Sequence, residues 1–180
     1  LSITNNTIID GFTFTGGNPN LSRYAQKSIY IKGKNIAFVV GGAIYNKATV
    51  FNSYSESSPV INNCRFVYNS SSLGGPGIYS SASSGKVAPV LTNCYFGNNR
   101  TVNSDGGEGG GGAVFIDGFR DDFPAIYPSG VTVENSVFEN NSNNTEFGSG
   151  ACITAMFRAD VKVTNCVFNN NTAKNGTAIR

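Results

Sequence analysis

Histidine and tryptophan are absent from the 180 residues, methionine occurs once, and charged residues make up only 13% of the chain. The four cysteines, Cys64, Cys94, Cys152 and Cys166, include no CxxC pair, and without a histidine they do not compose a zinc site. No apolar run approaches the ~20 residues of a membrane-spanning helix. Thirteen basic and 11 acidic residues leave a formal net charge of +2, too small and too scattered for the phosphate-tracking stripe of a nucleic-acid binder. The glycine-rich run DGGEGGGGA, Asp105 to Ala113, lacks the lysine and following helix of a phosphate loop, and reads as a loop leading into a tight corner. No cofactor is expected.

What the chain has instead is 24 Asn, 22 Gly, 19 Ser and 13 Thr. These residues disfavour helix interiors, because they compete for backbone hydrogen bonds or tolerate positive φ, so a turn-rich, all-β fold is expected. One pattern recurs through it: INNCRF from Ile61, LTNCYF from Leu91, VENSVF from Val133 and VTNCVF from Val163, with IIDGFTF near the start as a fifth copy. Asn63, Asn93, Asn135 and Asn165 share a column in which the first copy has Gly11. Asn and Gly enter the left-handed region most readily, so this column is a backbone corner. The apolar phase agrees. Ile61 and Cys64 are three apart and would fall on opposite faces of a straight strand, whereas a bend at Asn63 turns Ile61, Cys64 and Phe66 inward together.

Three residues past each Phe stands another Asn, at 69, 99, 141 and 171, with Gly17 in the first copy; this column predicts a second corner. A loop of variable length follows, then a Gly-led apolar strand: GGAIYN from Gly41, GPGIYS from Gly75, GGAVFI from Gly111, SGACIT from Ser149 and NGTAIR from Asn175. The Phe positions 14, 66, 96, 138 and 168 are spaced 52, 30, 42 and 30 residues apart, so the loops vary while the motif does not. Repeats of this length indicate solenoids, propellers or arrays. No even hairpin meander supports a propeller, and Leu-rich or helical repeats are missing. A parallel β-helix of about five rungs remains, with Asn and Phe ladders stacked along its axis. Cys64 and Cys94, one above the other, read as small buried side chains, with a disulfide between them as the alternative. The first residues already read as strand and turn and the last stop within a repeat, so residues 1–180 are expected to be a single stretch of a longer solenoid.

The pairing of FVYN with GPGI, FGNN with GGAV, FENN with GACI and FNNN with GTAI resembles the repeats of the polymorphic outer-membrane proteins, secreted adhesins and autotransporter passengers. More broadly it is similar to the right-handed parallel β-helix superfamily that includes pectate lyases. The resemblance implies a right-handed helix and an extracellular or cell-surface setting. It departs at Pro76, which breaks the second Gly pair. The superfamily also implies an alternative, a polysaccharide-active lyase or hydrolase, which needs acidic side chains around Ca²⁺ or a carboxylate pair. The richest acidic cluster, Asp117, Asp121 and Asp122 with Arg120, comes from one loop, with Asp105 and Glu108 in the loop before it; as a metal site it is a weak candidate beside a solvated loop with a local ion pair. The Gly-His-Gly element of polygalacturonase-like enzymes is missing, so no catalytic residue is assigned.

Two further sets of residues are candidates for contact with other molecules. Tyr45, Tyr79 and Phe115 align in the Gly-led strands, followed in the same column by Ile153 and Ile179. If they face outward they make an aromatic strip at the ~4.8 Å rung spacing, fit for sugars or another chain; if inward, they are core. Eight Asn-x-Ser/Thr sequons occur, at Asn5, Asn20, Asn69, Asn99, Asn140, Asn143, Asn170 and Asn175. Asn69 and Asn99 fall in the ladder column, so glycans are expected at Asn140, Asn143, Asn170 or Asn175. The function expected is that of a secreted structural or adhesive β-solenoid in a stalk, fibre or adhesin. Its expected partners are further rungs, other copies or proteins at the rung ends, and carbohydrate.

Overall fold

The computed structural model describes residues 3–18, 28–31, 34–37, 41–48, 55–82, 85–102, 110–118, 129–145 and 150–180. Among them there is no helix, and the strands stack as a parallel β-helix. The first sheet runs through Ile8–Asp10, Val60–Asn62, Val90–Thr92, Gly130–Glu134 and Asp160–Thr164. The second runs through Thr13–Thr15, Arg65–Val67, Tyr95–Gly97, Val137–Glu139 and Val167–Asn169. Five strands in each make five rungs. A third sheet stacks Ser70–Ser71, Arg100–Thr101, Ser142–Asn143 and Thr172–Ala173; a fourth stacks Ile44–Ala48, Ile78–Ala82, Val114–Asp117 and Ile153–Met156. Glu56–Ser57 and Lys86–Val87 pair beside them, held on the outside by a 3.3 Å Lys86–Glu56 ion pair. The one antiparallel pair among the described residues is Ser28–Ile31 with Lys34–Ala37.

The first corner lies where the repeat places it. Gly11, Asn63, Asn93, Asn135 and Asn165 have φ between 50 and 77°, so each turns the chain from the first sheet into the second. The second corner is one residue earlier than the sequence predicts. The left-handed residues there are Gly16, Tyr68, Asn98, Asn140 and Asn170, not the following Gly17, Asn69, Asn99, Asn141 and Asn171. The turn at the earlier residue aims the next side chain into the core, which is what the ladder needs.

Inside, Phe14, Phe66, Phe96, Phe138 and Phe168 stack with centroids 4.7 to 5.1 Å apart and ring planes within 10° of parallel. Beside them Asn69, Asn99 and Asn141 are buried, and their amides saturate one another. Asn69 donates from its backbone N–H and from Nδ2 to Asn99 Oδ1 and, again from Nδ2, to the Phe14 carbonyl. Asn99 repeats this toward Asn141 and Phe66, and Asn141 toward Asn171 and Phe96. Burying an amide is favourable only when its donors and acceptor are all used, and here every rung supplies them to the next. The third inward column holds Cys64, Cys94 and Cys166 with Ser136 among them. All four cysteines are free thiols, so packing, not a disulfide, accounts for the column.

The Gly-led strands carry a second register correction. Gly41, Gly75, Gly111, Gly150 and Gly176 are the left-handed residues that open them, with φ of 57 to 66°. Counting from these, Ile153 aligns with Val114 in the core and Thr154 with Phe115. Ile179 pairs with Ile153. Ile153 and Ile179 therefore leave the aromatic column, and the inward column becomes uniformly β-branched: Ile44, Ile78, Val114, Ile153 and Ile179.

Candidate functional surface

Because Ile78, Val114 and Ile153 are all fully buried in the core, the next residue along each strand faces outward. Tyr45, Tyr79 and Phe115 thus form a strip on the outer face of the fourth sheet. Ring centroids are 5.6 Å apart for Tyr45–Tyr79 and 5.1 Å for Tyr79–Phe115, with planes tilted by about half a right angle. The strip is only partly open to solvent, Tyr45 and Tyr79 being half-buried. Phe115 is only 6% exposed and lies against Gly110, whose missing side chain leaves room for the ring. Burial, then the charge of Asp117, raises the Tyr45 hydroxyl above its ordinary pKa.

Asp117, the one member of the acidic cluster within the described residues, accepts a 2.9 Å hydrogen bond from the Tyr79 hydroxyl. Arg120, Asp121 and Asp122 lie outside the described residues. Among those described, no three His, Cys, Asp or Glu side chains gather as metal ligands. Nor, among the described residues, do carboxylates meet on neighbouring rungs of one column. Asp10 and Glu134 share an outer column but Asn62 and Thr92 stand between them, and Glu139 is flanked by Gly97 and Asn169.

The sequons divide by burial. Asn140 and Asn170 are exposed at left-handed corner positions, and Asn175 is exposed beyond them. Asn69 and Asn99 are buried in the ladder as expected. Asn143 is a correction: it lies in a strand, not a loop, is 1% exposed, and its Oδ1 accepts from the Thr145 N–H at 3.3 Å and hydroxyl at 2.9 Å. A residue enclosed in this way has no room for a glycan.

The outer face of the second sheet holds a cluster that the repeat pattern did not single out. The Tyr95 ring lies over Gly97; a Cβ there would meet Cε1 at 2.5 Å and the hydroxyl at 2.7 Å. The hydroxyl donates to Glu139 Oε2 at 2.9 Å, and Asn169 Nδ2 donates to the other carboxylate oxygen at 3.0 Å. The Arg65 guanidinium sits 4.4 Å from the centre of the Tyr95 ring. The hydrogen bond to Glu139 is the main reason the Tyr95 hydroxyl holds its proton above the ordinary range. Tyr68, at the neighbouring corner, is 68% exposed. A signal for it was present in the sequence: its column is otherwise Gly16, Asn98, Asn140 and Asn170, so an aromatic there is out of keeping.

Fold and surface together define a parallel β-helix repeat protein with a constant interior and a varied exterior. No protein-family model, curated protein or solved structure matches the chain.

Proposed function

We propose that this chain is a stretch of an extracellular or cell-surface β-solenoid with a structural or adhesive role, of the kind built from polymorphic outer-membrane-protein repeats. One observation carries the reading: the Phe stack runs without interruption through five rungs and the Asn ladder through four, with Gly17 capping it in the first, while the outer column beside them changes at almost every step, from Thr13 to Arg65, Tyr95, Val137 and Val167. A solenoid needs only contacts between adjacent rungs, so a constant interior lets rungs be added, and the free exterior is where recognition can be written. A polysaccharide-cleaving site in such a fold would instead require acidic groups converging from adjacent rungs.

Protease shaving and membrane-impermeant labelling of intact cells that make the protein test the reading. Cleavage and labelling without lysis are expected; full protection until lysis would overturn surface display. Release of reducing ends or unsaturated products from polysaccharides by the purified chain would favour the enzyme.

A further inference from the structure

We infer that Arg65, Tyr68, Tyr95 and Glu139 form a binding platform for one neutral pyranose ring of a glycan on the outer face of the second sheet. The inference deepens the adhesive reading and rests on it.

The argument begins with Tyr68. Its φ of 56° lies in the left-handed region, where Gly or Asn stands in the other four rungs. A bulky aromatic there costs about 1 kcal/mol or more relative to those residues. Burial does not return that cost, because the side chain is 68% exposed. A strained aromatic that packs so little of itself serves contact with something outside the fold. Its backbone stands beside the cluster, since its N–H donates to the Gly97 carbonyl at 3.1 Å and Tyr95 lies over that glycine.

The neighbours are ordered in advance. Glu139 is held by two donors, the Tyr95 hydroxyl and Asn169 Nδ2, one on each oxygen, and each oxygen keeps a further lone pair for an incoming donor. Arg65 is stacked on Tyr95 and, among the described residues, pairs with no carboxylate, so its guanidinium fork is presented to solvent. An acceptor fixed on one side of an aromatic and a donor fork on the other suit adjacent ring hydroxyls, which both donate and accept. The Tyr68 ring offers the apolar face on which a pyranose C–H surface stacks. A strongly acidic ligand would meet Glu139 and a strongly basic one Arg65, so the paired charges select a neutral ligand.

The purified chain is titrated with soluble cello-, xylo-, manno- and galacto-oligosaccharides and followed by amide NMR shifts. Perturbations are expected at Arg65, Tyr68, Gly97 and Glu139. Tyr68→Asn, which restores the residue type of the other rungs, is expected to weaken binding about tenfold or more while leaving Tm unchanged or higher. Gly97→Thr, which displaces the Tyr95 ring, should weaken binding similarly. No perturbation by any of the four sugars, undiminished affinity in Tyr68→Asn, or a lowered Tm in that variant would each overturn the inference. The surface-display reading has its own cellular test and survives any of these outcomes.

Discussion

Asn141 Oδ1 accepts two hydrogen bonds from Asn99 at once, from its backbone N–H at 3.1 Å and from its Nδ2 at 2.9 Å. The same oxygen closes an orphaned backbone donor at the turn and anchors the side chain of the rung before it. Each Asn is therefore both a cap for one rung and a load on the next.

Replacing Asn99 with Ala removes the acceptor used by the Asn69 N–H and Nδ2, and the donor to the Phe66 carbonyl. Two buried donors left unpaired, at ~1–3 kcal/mol each, should cost the fold about 3 kcal/mol or more. Asn135→Gly, at an exposed corner with φ 50°, should cost less than about 1 kcal/mol, since Gly adopts that conformation freely. Urea denaturation midpoints compare the two, and equal losses would mean that the ladder contributes nothing beyond the turn.

Phe96 is fully buried between Phe66 at 4.8 Å and Phe138 at 4.7 Å. Phe96→Ala should destabilise by about 3–5 kcal/mol, because a five-ring stack cannot close over the gap, and Phe96→Leu by distinctly less. Chemical denaturation followed by circular dichroism measures both.

Burial raises the Cys94 thiol to about 11 and the Cys152 thiol to about 12, against an ordinary value of 9.0. In the unfolded chain these thiols ionise first, so their stabilising effect is complete below pH ~9 and is lost as pH rises toward the folded values. The loss is about 3 kcal/mol for Cys94 and about 4 kcal/mol for Cys152. Denaturant midpoints should fall between pH 9 and 11, and Cys94→Ala should flatten part of that slope. Both thiols should resist alkylation at neutral pH until the protein is unfolded.

In a host that attaches N-linked glycans, the folded, soluble protein should carry them at Asn140, Asn170 or Asn175 and not at Asn69, Asn99 or Asn143, whose side chains are enclosed. Glycopeptide mass spectrometry decides the matter. High occupancy at Asn69 or Asn99 in folded material is incompatible with the ladder.

The repeat made the fold legible, because a solenoid writes the same physical requirement into each rung. Positive φ at the Asn63 column, the inward Phe column and the Asn69 ladder column all followed from residue type and spacing. Register is ambiguous in the sequence where two neighbouring positions use the same residue for different reasons. Asn98–Asn99, Asn140–Asn141 and Asn170–Asn171 each pair a left-handed corner Asn with a ladder Asn, and only Tyr68–Asn69 separates the two roles. Likewise Ser149–Gly150–Ala151 can be aligned with Gly111–Gly112–Ala113 in two ways, and only the left-handed turn at Gly150 selects the one that buries Ile153.

Sequence alone thus determined the stacking axis, the rung count and the chemistry of the interior, since these depend on which side chains tolerate a corner or a buried ladder. Tertiary structure decided what lies outside. Whether Tyr79 faces in or out, that Asn143 is enclosed, and that Arg65, Tyr95 and Glu139 from three successive rungs meet over Gly97 all depend on register between residues 30 to 44 positions apart, which no local pattern encodes.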